Sequence, residues 1–91
     1  MNEIQFEAFI HCVLDKDFVE EQKQEFYIEA FEGLLIALIT DSCLTDEEAK
    51  RKSAIVITRA YVSELISADE SQRLMRFRRD ILRKYRKGVN V

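Results

Sequence analysis

Proline and tryptophan are absent from this 91-residue sequence, glycine and cysteine occur twice each, and histidine occurs once. Without proline, no position has a locked φ or a missing backbone donor, so nothing forbids a helix. Two glycines cannot supply the φ > 0 turns that a stack of tight hairpins requires, so sheet architecture is disfavoured. Cys12 and Cys43 stand far apart with no CxxC pair, which leaves zinc and thioredoxin-type chemistry unsupported. Two buried or partly buried free thiols are expected. The longest wholly apolar run, Leu34 to Ile39, is too short to span a bilayer, and Met1-Asn2-Glu3 lacks the basic start of a secretory signal. A cytoplasmic protein with no membrane role is expected.

Catalytic and metal-binding patterns are equally scarce. The sequence has no glycine-rich phosphate loop, GxSxG elbow or HExxH pair. His11 is the lone imidazole, so no imidazole set exists to complete a metal site, and neither metal nor cofactor is expected. Adjacent helical residues point about 100° apart, which makes Cys12 a poor nucleophile partner for His11. His11 reads instead as a histidine at the edge of a packed face. No enzymatic role is expected, and no catalytic residue is assigned.

What is present is helical periodicity. At 47% hydrophobic and 34% charged residues, the chain has the composition of a small globular protein with much surface to solvate, and its length suits one core. The spacing predicts a single all-α domain over residues 1–91, a compact antiparallel bundle of about four helices. In the first, about 2–14, Phe6, Phe9, Ile10 and Val13 share a face. The second, about 17–41, carries Phe26, Tyr27, Ala30, Phe31, Leu34, Leu35, Leu38 and Ile39 and becomes apolar nearly all round toward its end. Gly33, at the edge of that stripe, suggests a close helix crossing. Thr45 and Glu48 form a capping-box pattern that opens a third helix, about 46–66. Its β-branched centre, residues 54–58, could pass for a strand, and the cap decides for helix. Ser67 and Glu70 repeat the pattern for a fourth, about 68–87, which Gly88 is placed to end.

The charge layout is the informative feature. Residues 1–72 hold sixteen Asp/Glu against six Lys/Arg, net −10, and residues 73–91 hold eight Lys/Arg against Asp80, net +7. On a helical wheel Leu74, Phe77, Ile81, Leu82 and Tyr85 face one way, while Arg76, Arg79, Arg83 and Arg86 form a stripe opposite, with Arg73 and Lys87 beside it. The helix macrodipole favours bases in the last turn and gives no reason for arginines nearer the start. Glu21, Glu25, Glu29 and Glu32 form a carboxylate ridge on the second helix. Pairing between the two stripes is geometrically easier between molecules than within one, so a second copy of the chain is one candidate partner.

These observations point to binding rather than chemistry. The expected function is a non-catalytic protein-binding regulator, such as an inhibitor, an immunity-type antidote or an adaptor, offering Glu21, Glu25, Glu29 and Glu32 to a basic protein partner. Arg73, Arg76, Arg79, Arg83, Arg86 and Lys87 form its second, basic surface. The alternative is a nucleic-acid-binding protein that contacts phosphates through residues 73–87. A membrane-surface role for the last helix ranks below both, since its apolar side would have to leave the bundle.

Overall fold

The computed structural model describes residues 24–87 together with Ile4, Glu7, Ala8, Ile10 and His11. Three helices are delimited: α1 (Gln24–Ile39), α2 (Asp46–Val62) and α3 (Ala68–Tyr85). No strand occurs among the described residues. The first expected helix, 2–14, lies mostly outside them, and Phe6, Phe9, Cys12 and Val13 lie outside them entirely. The five described residues of that segment have helical backbone, and Ile10 joins the core at 2% exposure. Likewise, residues 17–23 of the expected second helix lie outside the described part.

Capping explains where α2 and α3 begin. The Thr45 hydroxyl accepts from the Glu48 N–H at 3.1 Å and the Glu48 carboxylate accepts from the Thr45 N–H at 3.2 Å. Ser67 and Glu70 exchange the same bonds at 3.1 and 2.8 Å. Each box satisfies two N-terminal donors that the helix cannot satisfy itself. The Thr45 N–H, and then its hydroxyl, hold the Glu48 carboxyl below the usual carboxylate range. With the cap in place, the β-branched stretch 54–58 is helical. Propensity differences of a few tenths of a kcal/mol per residue do not outweigh a cap worth about 1 kcal/mol plus the burial of Val56 and Ile57.

The helix ends depart from expectation for identifiable reasons. α2 stops at Val62 instead of residue 66 because Glu64 turns to φ 62°. The Leu65 N–H donates to the Ala60 carbonyl and the Glu64 N–H to the Tyr61 carbonyl, a Schellman closure. That reversal brings Ile66 into the core at 5% exposure. α3 ends at Tyr85, ahead of Gly88, which lies outside the described residues; Arg86 leaves helical dihedrals at φ −129°, ψ 68°. The α1–α2 link holds Leu44 buried and closes on an Asp41 carboxylate that accepts from the Cys43 N–H at 2.9 Å.

Each helix packs on the other two around Phe31, Leu35, Leu38, Val56, Ile57, Leu74 and Leu82. Tyr27 and Phe31 meet edge to face, ring centres 5.9 Å apart. The radius of gyration, 12.5 Å, matches the roughly 12 Å of a compact chain of this length. Three expectations about the core are corrected. Phe26, Tyr61 and Tyr85 are about half exposed, so they are not core aromatics. The end of α1 is not buried all round, since Ile36 is 38% exposed. A Cβ built on Gly33 would meet nothing within 4 Å, so no helix crosses closely there.

Two glycine swaps test this description. Gly33→Ala should raise stability by about 0.5–1 kcal/mol, because alanine adds helix propensity without a clash. Glu64→Gly should raise it by about 1 kcal/mol by relieving the left-handed strain. Denaturant unfolding of both variants reads these values. The buried Tyr27 gives a pH signature. Burial, and then the negative charge of Glu70, push its hydroxyl up to about 12. A folded pKa above the unfolded value means a contribution fully present below pH 10 and lost as pH rises toward 12. Stability should therefore fall by about 2–3 kcal/mol across that window, and Tyr27→Phe should flatten the fall in alkaline unfolding curves.

Candidate functional site

α3 and the two residues after it carry the basic side chains, and docking sorts them into five environments. Arg73 and Glu32 bridge α3 to α1, Nη2 to Oε1 at 3.0 Å. Arg83 sits 3.8 Å from Asp80 one turn back. With both side chains more than half exposed, that pair is worth at most about 1 kcal/mol. Arg76, Arg79 and Lys87 are exposed, and no described carboxylate pairs with them. Arg76 and Arg79 border a depression of about 330 Å³ that Met75 also lines.

Arg86 is the first correction. Its side chain is only 12% exposed and does not join a solvent-facing stripe. Nε donates to the Ile39 carbonyl at 2.8 Å, Nη1 to the Leu44 carbonyl at 2.8 Å and to Asp46 Oδ1 at 3.1 Å, and Nη2 to the Asp41 carbonyl. The C-terminus of α1 carries orphan carbonyls with a partial negative charge, and a planar cation with several donors in a fixed fork satisfies them together.

Arg78 is the second finding, and the sequence reading passed over it. Leu74, Arg78 and Leu82 follow one another at four-residue spacing, so Arg78 lies on the core face, 9% exposed. Nε donates to Ser53 Oγ at 2.9 Å and Nη2 to the Lys50 carbonyl at 2.8 Å. No described carboxylate pairs with it. Burial, and then the neighbouring charge of Arg79, lower its pKa.

The acidic ridge is described only in part. Glu21 lies outside the described residues, as does the side chain of Glu25. Glu29 is exposed. Glu32, its side chain 20% exposed, is held by Arg73.

A second surface, unforeseen from the sequence, forms where α2 turns into α3. Tyr61 and Val62 are 48% and 72% exposed there. With Glu64 and Glu70 they border a depression of about 630 Å³. The signal was present: after Ala60, the two apolar residues fall in the last turn of α2, beyond the reach of the core. Cys43 is exposed, not buried as expected, because it occupies the α1–α2 loop; His11 is exposed too. Among the described residues no group of three His, Cys, Asp or Glu side chains could hold a metal ion, and no helix is long and apolar enough to cross a membrane.

Removing the Arg86 clamp should be costly. Arg86→Ala should destabilise the protein by about 3 kcal/mol, since several charge-assisted bonds are lost at once. Arg86→Lys should recover less than half of that, because an ammonium cannot span the same acceptors. Thermal and denaturant unfolding of the two variants measure both values.

Comparison of the chain with protein-family models, curated proteins and solved structures gives no match.

Proposed function

We propose that this chain is a non-catalytic protein-binding regulator of the inhibitor, antidote or adaptor kind, acting on a basic protein partner. The observation that carries the reading is the α2–α3 corner. Tyr61 and Val62 stand exposed side by side with Glu64 next to them, an aromatic and an aliphatic anchor with an acidic rim. Binding energy at protein interfaces concentrates in such anchors, and rim charges set orientation and association rate. Glu64 holds φ 62° there, a conformation that costs a non-glycine residue stability and that fixes the corner's shape. Of the charged ridges, Glu29, Arg76, Arg79 and Lys87 remain available for contact.

The nucleic-acid alternative loses support from the arginine partners. Arg73 and Arg86 are engaged by carboxylates and carbonyls of the same chain. That leaves Arg76, Arg79, Arg83, Lys84 and Lys87 as phosphate contacts, for a log–log salt slope no steeper than about −4.5.

Affinity capture from the source cells tests the proposal. The expected result is one basic protein held stoichiometrically by the wild type and lost with Val62→Asp, a substitution that leaves the core untouched. Titration of random duplex and single-stranded nucleic acid across a salt series is the counter-test. Submicromolar binding that Arg76→Glu/Arg79→Glu abolishes would overturn the protein-binding reading.

A further inference from the structure

The charge of Arg78 is incompletely answered by the protein. Its two bonded nitrogens meet neutral acceptors, Ser53 Oγ and the Lys50 carbonyl. The third, Nη1, has no acceptor among the described residues. Among the described residues no buried side-chain nitrogen or oxygen lacks a partner, so Nη1 must be open to solvent. Arg78 lines a cleft of about 410 Å³ between α2 and α3, together with Glu47, Lys50, Arg51, Ala54 and Ile55. A buried cation without a counter-ion is costly, and an anion that reaches it from the cleft would offset that cost.

The walls narrow the class of anion. Arg51 and Arg78 bring two guanidinium groups to the cleft, with Glu47 at its edge. Ala54 is half-buried and Ile55 is 37% exposed, so part of the wall is apolar. A guanidinium edge in a partly dry cleft suits a planar, singly charged oxyanion, while Glu47 disfavours a dianion. The volume lies in the range of small-ligand sites, about 300–1,000 Å³.

We propose that the α2–α3 cleft binds a carboxylate carried on an apolar body, with Arg78 Nη1 and Arg51 holding the carboxylate and Ala54 and Ile55 the apolar part. Two sources share this chemistry: a free fatty carboxylate, and the C-terminal carboxylate of a protein that ends in apolar residues. The site uses none of the residues assigned to the protein-binding corner, so it stands whether or not that reading holds.

NMR titration of the full chain tests it, following the Ile55 methyl groups and the Arg78 Nε–H. The probes are octanoate, octylammonium, inorganic phosphate, and a tetrapeptide ending in two leucines as its free acid and its amide. Octanoate should shift both reporters with a Kd on the order of 1 mM. Arg51→Ala, at an exposed position, should weaken binding about two- to five-fold, and Arg78→Met should abolish it. Should Arg78→Met fail to fold, the wild-type and Arg51→Ala titrations still decide. Binding of the free-acid peptide but not its amide assigns the site to a protein terminus, and octanoate alone assigns it to a free carboxylate. Silence with octanoate and the free-acid peptide alike, or equal response to octylammonium or phosphate, would overturn the proposal.

Discussion

The position of α3 depends on one guanidinium. Arg86 gathers the Ile39, Asp41 and Leu44 carbonyls and the Asp46 carboxylate, so the end of α1, the loop after it and the start of α2 are all tied to the end of α3. Of these carbonyls, that of Asp41 also accepts from the Leu44 N–H at 3.1 Å, and those of Ile39 and Leu44 rely on Arg86 or water. The clamp ties down the C-terminal end of α3, while the Ser67/Glu70 box sets its start and Leu74 and Leu82 seat it in the core. Arg73 is brought to Glu32, and Arg78 is carried over Ser53. A change at Arg86 therefore reaches the cleft and the exposed face together, although it touches neither.

Arg78 shows the opposite use of the same side chain. Arg86 meets a carboxylate and the negative end of a helix, whereas Arg78 meets a hydroxyl and one mid-helix carbonyl. Replacing a buried cation with an apolar side chain of similar volume is often neutral or stabilising. Packing alone thus gives no reason for arginine between two leucines, and a leucine or methionine would fill that place at no electrostatic cost. Arg78 lines the α2–α3 cleft, and the ligand proposed for that cleft supplies a reason that packing does not.

The parts of this fold written in local chemistry were legible in the sequence. Thr45/Glu48 and Ser67/Glu70 announce both helix starts because a capping box is satisfied within four residues. Helix ends were less legible: Glu64 supplies a left-handed residue where glycine would be the signal, so α2 ends four residues before its predicted end. Gly33 misled in the other direction, a glycine with open space in front of it. The arginines were read as one class because a helical wheel sorts residues by polarity. The wheel cannot say that carbonyls from another helix will wait beside Arg86, since those acceptors are backbone and leave no mark in the sequence. Arg78 could have been found, because its spacing to Leu74 and Leu82 is that of a core residue; its charge hid it.

Sorting the charges by environment changes what the net values of −10 and +7 mean. Much of the basic excess serves position: Arg73 and Arg86 hold α3 to its neighbours. The molecule extends 37 Å along its longest axis, several times the screening length of about 8 Å at physiological salt. Charges at opposite ends of the molecule are screened from one another, and Arg73–Glu32 and Arg86–Asp46 bring the two signs together within it. A partner reads local sets of groups instead: the acid-rimmed Tyr61–Val62 corner in one place, Arg76 and Arg79 in another, and the Arg51–Arg78 cleft in a third.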